Sequence, residues 1–281
     1  MKQTKIVSSD GTEIGYRILG SGPGVIVLNG GMRASEHYLK LANLLARDFT
    51  VYLPDRRGRQ LSGVPGPHYG MQTELDDLKA LLEATGAERV FGHSAGALIA
   101  LRGAQTFPQI KKLAVYEPPL SVQHNIPTHD WLPQFDEEIR TRKFAAAMET
   151  SLGGLGLLPS EAMQLPRWVR VMIMRMLIIG DWLRYRPGYT KPGALVATQR
   201  LDLPLVNFMN DTTGEFKRLK TPTLLLGGGK TQTPFLKQAL QSLAEVIPHN
   251  QYQVFPNLEH TAPTTNKGAI EISPVLRTFF L

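Results

Sequence analysis

Three features of the chain predict an α/β fold: a mostly parallel sheet covered by helices on both faces, with a helical insert. Short apolar runs alternate with amphipathic helical periods up to about Pro119 and again from about Lys217 to the last residue. That pattern belongs to strands buried on both faces by crossover helices. Between about Ser121 and Glu215 the alternation stops and the sequence reads as helical or irregular. The 281 residues suffice for one large core carrying a modest insertion.

Each element has a local signal. Residues 5–19, broken by Ser9-Asp10-Gly11, predict an opening hairpin, and Val25-Ile26-Val27-Leu28 a buried strand. Ser35 is placed to cap a helix whose Tyr38, Leu41 and Leu45 share one face. Residues 49–53 form the fourth strand, closed by Pro54. A helix then begins at Thr73, turns Leu75, Leu78 and Leu82 inward and stops at Gly86 in a left-handed cap. Arg89-Val90-Phe91 is the fifth strand, followed by a helix that runs until Pro108. Lys112-Leu113-Ala114-Val115-Tyr116 is the sixth, ended by Glu117-Pro118-Pro119. In the insert, Gly153-Gly154-Leu155-Gly156 reads as a flexible joint. The Met-rich stretch from Trp168 to Trp182 reads as a helix that packs its Met and Leu face inward, lines a pocket, or does both. A seventh strand at Thr223-Leu224-Leu225-Leu226, a helix over 234–244, an eighth strand at Tyr252-Gln253-Val254-Phe255 and a helix near 270–280 complete the core. The expected domains are a core of residues 1–119 and 217–281 and a cap of residues 120–216.

Composition narrows the partners. The formal charge is +7, from 31 Lys and Arg against 24 Asp and Glu, but the basic residues are scattered. Only Arg56-Arg57-Gly58-Arg59 is dense, and a solvated or internally paired loop accounts for it better than an anion site. Without a basic stripe interleaved with aromatics, no nucleic-acid partner is expected. The absence of cysteine removes disulfides, thiolate metal sites and a Cys nucleophile. Arg170, Arg175 and Asp181 interrupt the Met-rich stretch, which is short for a bilayer, so no membrane insertion is expected. Residues 1–6 lack the apolar segment of a secretory signal, and a cytoplasmic location is the expectation. Apolar residues of the insert suit a pocket, a dimer contact or simple packing, which leaves the oligomeric state open.

Gly92-His93-Ser94-Ala95-Gly96 lies between a strand and a small-residue helix, so Ser94 stands where the chain must turn sharply. Glycines on either side let the backbone make that turn and hold the hydroxyl clear of the sheet, at the positive end of the next helix. A serine hydroxyl needs a base within hydrogen-bond reach. Among seven histidines, His93 adjoins Ser94 and should point elsewhere, while His37, His68, His124, His129 and His249 fall in helix or loop contexts expected to be solvent-exposed. His260 follows the last strand, at the carboxyl edge where open α/β sheets bind ligands, and is the candidate base.

With Asn29-Gly30-Gly31 after the third strand, Asp55-Arg56-Arg57-Gly58 after the fourth, the Ser94 pentapeptide after the fifth and Leu258-Glu259-His260 after the eighth, the chain resembles the α/β-hydrolase fold superfamily with a helical cap inserted after the sixth strand. The resemblance covers roughly residues 1–119 and 217–281 and implies a sheet of eight strands and no cofactor. The common position of the acid, after the seventh strand, holds Gly227-Gly228-Gly229-Lys230-Thr231-Gln232-Thr233-Pro234, without a carboxylate. Some members carry it after the sixth strand, where this chain has Glu117, fixed by Pro118 and Pro119. Asp211 and Asp202 are weaker alternatives, Glu259 is too close in sequence to orient its neighbour, and a Ser-His dyad is a further option. The resemblance also implies an oxyanion hole from the backbone N–H groups of Gly31 and Ala95, with Met32 replacing Gly31 if the loop is offset by one. Asn29 replaces the histidine common at the head of that motif, and Gln60-Leu61 stands where many relatives have a glycine and a polar residue. Asp55 and Arg56 read as scaffold.

The expectation is a serine hydrolase acting on a small carboxylic ester or related acyl substrate, without metal. A serine at the elbow argues against haloalkane dehalogenase and epoxide hydrolase chemistry, which uses aspartate there. Thioesterase, lactonase, amidase, carbon–carbon hydrolase and perhydrolase activities stay open. The alternative is a receptor-like homologue that binds a small molecule without turnover.

Overall fold

Eight strands join into one sheet in the order β1-β2-β4-β3-β5-β6-β7-β8. The computed structural model describes residues 1–122 and 129–281, so His124 lies outside the described residues. β1 (Lys2–Val7) and β2 (Glu13–Leu19) form the antiparallel opening hairpin, and β2 pairs antiparallel with β4 (Thr50–Pro54). From β3 (Gly24–Leu28) through β5 (Arg89–His93), β6 (Lys112–Tyr116), β7 (Thr223–Gly228) and β8 (Asn250–Phe255) the remaining pairings are parallel.

The central strands read as continuous apolar runs because helices cover both sides of them. Val25 and Val27 enter the cluster beneath α1 (Leu39–Leu45) and α11 (Asn266–Phe280). Ile26 and Leu28 enter the opposite cluster, beneath α2 (Met71–Thr85), α3 (Ala95–Thr106) and α10 (Pro234–Val246). β6 divides in the same way, Leu113 and Val115 against Ala114 and Tyr116. Removing one such side chain, for instance Leu78→Ala on the inner face of α2, costs about 2–5 kcal/mol in transfer and cavity terms.

Several boundaries follow physics that the sequence pattern hid. α2 begins at Met71, two residues before Thr73, and ends at Gly86 with φ +62° as expected. Ser35 does not cap a helix. It opens a 3-10 turn, Ser35–Tyr38, ahead of α1, and its backbone N–H donates to the Asp55 carboxylate (2.8 Å), so a residue from the β4 loop supplies the cap. Tyr38, Leu41 and Leu45 are fully buried together.

Between β6 and β7 lies the helical insert: α4 (Leu132–Arg140), α5 (Phe144–Gly154), α6 (Ser160–Met163), α7 (Arg167–Arg184), α8 (Pro192–Ala197) and α9 (Leu203–Phe208). The glycine-rich segment there is no joint, since Gly153 and Gly154 are the last turn of α5. A Cβ on Gly154 would run into the indole of Trp131, so glycine is needed for close packing.

The Met-rich helix α7 departs furthest from expectation. Only Met174 is buried, while Trp168, Met172, Met176, Ile179, Trp182 and Leu183 form an exposed stripe along the opposite face. Charge holds much of this helix in place: Glu149, buried on α5, accepts from Arg167 (2.9 Å) and Arg170 (2.7 Å), and Glu138 on α4 accepts from Arg167 (2.7 Å). Among the described residues no helix is long and apolar enough to cross a membrane.

The dense basic segment is buried and internally paired. Arg56 meets Glu74 (2.8 Å) and Asp202 (2.9 Å), and Arg57 meets Asp10 (2.6 Å) and Asp77 (2.7 Å). Arg59 donates to the carbonyls of Arg33 and Arg57 (both 3.0 Å). Asp202 belongs to the insert, so its pair with Arg56 ties insert to core.

Candidate functional site

β5 and β6 are paired in register His93↔Tyr116, so the next residues, Ser94 and Glu117, stand side by side at the carboxyl edge of the sheet. Both leave their strands in the left-handed region, with φ +52° at Ser94 and +45° at Glu117. Backbone bonds fix the two turns: Ser94 N–H donates to Tyr116 O (2.9 Å) and Glu117 N–H to Leu226 O (3.1 Å). The flanking Gly96 is required by contact, because a Cβ there would collide with the carbonyls of Leu28 and Asn29.

His260, on the loop after β8, reaches both residues. Its Nε2 lies 3.1 Å from Ser94 Oγ and its Nδ1 2.8 Å from Glu117 Oε2. A carboxylate only accepts, so Nδ1 carries the proton toward Glu117 and Nε2 turns its lone pair to the serine. The Glu117 side chain is 1% exposed and that of His260 20%. The other Glu117 oxygen, Oε1, accepts from Gly228 N–H (2.7 Å) and Thr231 Oγ1 (2.8 Å). The β7 end that lacks a carboxylate therefore supplies the two donors that hold one. Asp202 is paired with Arg56 instead, and Asp211 Oδ1 is 3.5 Å from Ser121 Oγ. Glu259 is exposed, and its carbonyl accepts from the Tyr116 hydroxyl (2.9 Å).

A buried chain of hydrogen bonds runs behind the site. Gly30 N–H donates to the Tyr38 hydroxyl (3.0 Å), which donates to His93 Nδ1 (2.6 Å), while His93 Nε2 donates to the His260 carbonyl (2.8 Å). The loop after β3 is thereby linked to the loop that carries His260. Burial, reinforced by the electrostatic influence of the neighbouring His260 ring, holds the His93 imidazole well below its ordinary range. His37 is also part-buried instead of solvated, and burial with the Arg33 charge lowers it to about 3. His68 and His249 are exposed.

The loop after β3 lies against the elbow. Asn29 Nδ2 donates to Pro54 O (2.8 Å), and a Cβ on Gly31 would press on the Asp202 carboxylate. Among the described residues, the backbone N–H groups of Gly31, Met32 and Ala95 donate to no protein group. Ser94, Ala95, Gly31, Met32 and His260 line one cavity of about 730 Å³. Its apolar wall includes Met148, Leu152 and Leu155 from α5 and the following turn, Leu203 and Val206 from α9, and Phe235 from α10. Leu177 is the α7 residue that reaches it. No group of three or more His, Asp or Glu among the described residues is arranged to hold a metal ion.

Residues 25–268 match the alpha/beta hydrolase family. The chain belongs to that family. A solved alpha/beta hydrolase from Sphaerobacter thermophilus superposes with a TM-score of 0.80 at 29% identity, over 99% of this chain and 100% of that one. An esterase from Rhodococcus shares the fold, with a TM-score of 0.69 at 20% identity over 99% and 98% of the two chains. A hydrolase of Bacillus subtilis is 32% identical over 117 residues, 40% of this chain and 43% of that protein. A Mycobacterium tuberculosis protein is 34% identical over 97 residues, which are 34% of this chain and 28% of that one. The matched parts thus span less than half the length of these curated relatives.

Tyr38, His93, Gly228 and Thr231 escaped the sequence reading as parts of the site. The one sequence-level hint for the last two is the β7 turn itself, where a run of glycines and hydroxyl residues follows a buried strand.

Proposed function

We propose that this α/β-hydrolase family member is a serine hydrolase that cleaves a small carboxylic ester or related acyl substrate through an acyl-enzyme on Ser94. One observation carries the reading: the hydrogen-bonded chain from Ser94 Oγ through His260 to Glu117, opening on an apolar cavity. Ser94 Oγ attacks the substrate carbonyl as its proton passes to His260 Nε2, and Glu117 stabilises the imidazolium through Nδ1–H. The oxyanion is held by backbone N–H groups, Ala95 on one side and Gly31 on the other, Met32 being the neighbouring donor. His260 then protonates the leaving alcohol. Water, deprotonated by the same imidazole, attacks the acyl carbonyl and releases the acid and the free serine.

A receptor-like reading would rest on the missing carboxylate after β7, and the Glu117–His260 hydrogen bond favours the enzyme over it. A fluorophosphonate probe and a panel of short and medium p-nitrophenyl esters test the proposal alongside Ser94→Ala. Labelling and turnover that disappear in the variant are expected; tight small-molecule binding without either would overturn it.

A further inference from the structure

The charges around the cavity do not cancel. Its lining includes Arg33, Lys230 and Lys237 against the carboxylates Asp202 and Glu259, and Asp202 is already paired with Arg56. The other buried cation beneath the loop, Arg59, is balanced within the same cluster, where Arg56 and Arg59 stand against Glu74 and Asp202. Arg33 is the surplus charge. Its guanidinium donates to a single carbonyl, Met32 O at 3.3 Å, and no carboxylate among the described residues pairs with it, with Lys230 or with Lys237. Residues 123–128 contain no Asp or Glu that could do so. Arg33 directly follows Gly31-Met32, and its charge acts on His93, the neighbour of Ser94. A half-buried arginine with unused donors beside an apolar pocket suits a planar anion that it can grip with two parallel N–H bonds.

We infer that the substrate is an acid ester: an apolar skeleton bearing, besides the scissile ester, an ionised carboxylate that Arg33 binds. This inference rests on the hydrolase reading above and specifies its substrate class. Lys230 and Lys237, which also line the cavity, add long-range attraction for the same charge.

The test compares paired esters with and without that carboxylate, each rate corrected for hydrolysis in the absence of protein. Mono-p-nitrophenyl glutarate is set against p-nitrophenyl pentanoate for a carboxylate on the acyl side, and 4-butanoyloxybenzoate against phenyl butanoate for one on the alcohol side. In at least one pair the acid ester is expected to have at least about tenfold higher kcat/KM, carried by KM and eroded by added salt. In Arg33→Gln that ratio falls to within about threefold of unity, and Arg33→Lys retains part of it. Equal rates within both pairs, or an Arg33→Gln loss shared equally by acid and neutral esters, would overturn the inference. If no ester turns over and a fluorophosphonate leaves Ser94 unlabelled, the hydrolase reading itself fails. Glutarate titrated calorimetrically into Ser94→Ala then decides the remaining question: binding abolished by Arg33→Gln upholds the anion site, and no binding refutes it.

Discussion

Replacing Glu117 by Gln changes one atom, and the surroundings dictate how that atom must be placed. Gly228 N–H (2.7 Å) and Thr231 Oγ1 (2.8 Å) both donate to one side-chain oxygen, so the glutamine carbonyl must keep that position. Its NH₂ is then forced toward His260 Nδ1, where the native carboxylate accepts at 2.8 Å. Two donors cannot face each other. The imidazole must switch its proton to Nε2, and the nitrogen 3.1 Å from Ser94 Oγ can no longer take the serine proton. Loss of the correct tautomer in the well-studied serine protease triad costs about 10⁴ in kcat, some 5.5 kcal/mol of barrier. A fall of about 10³ to 10⁴ in kcat with little change in KM is therefore expected for Glu117→Gln in steady-state ester hydrolysis, with the fold intact by circular dichroism. Thr231→Val removes one anchor and leaves the carboxylate, so about 5- to 30-fold is expected, equivalent to roughly 1–2 kcal/mol. A Glu117→Gln enzyme that keeps more than a tenth of its kcat would refute the tautomer argument.

Two further expectations concern stability. Arg56→Met strands Glu74 and Asp202 in the interior, and breaking a buried pair in this way costs about 3–5 kcal/mol; urea denaturation with an unaltered midpoint would remove the proposed tie between insert and core. His37 and His93 are both held neutral below their ordinary value of 6.5, so below that pH the unfolded chain binds more protons than the fold does. Stability must then fall as pH drops through 6.5, by at most about 1.4 kcal/mol per pH unit for each histidine, and for His37 until about pH 3. His37→Gln should flatten the unfolding free energy between pH 6.5 and 4.5, and an unchanged slope contradicts the assignment.

The fold was legible wherever burial is two-sided. β6 coincides with its apolar run residue for residue, and β3, β5 and β7 fall within a few residues of theirs, because central parallel strands leave an uninterrupted hydrophobic record. Ser94 and His260 were candidates because of where their strands end, and Glu117 was one of several options that the family resemblance left open. Their supports were not legible. Thr231 and Gly228 meet Glu117 from more than a hundred residues away, and a hydroxyl or a backbone N–H leaves no periodic trace. Helix α7 misled for a related reason. Its periodicity marks an apolar face without saying whether anything packs on it, while Arg170, which seemed only to interrupt the stretch, fastens it to α5 together with Arg167.

Ser94, Glu117 and Met32 all hold left-handed backbone without being glycine; Ser94 and Met32 line the cavity, and Glu117 lies buried behind His260. Each forgoes about 1–2 kcal/mol that an unstrained residue would keep. Selection for heat resistance and selection for turnover therefore pull in opposite directions at these positions. A glycine at 94 is expected to melt later than the parent while doing no chemistry, and a hardier working version of this protein has to gain its degrees elsewhere, away from the rim of the sheet.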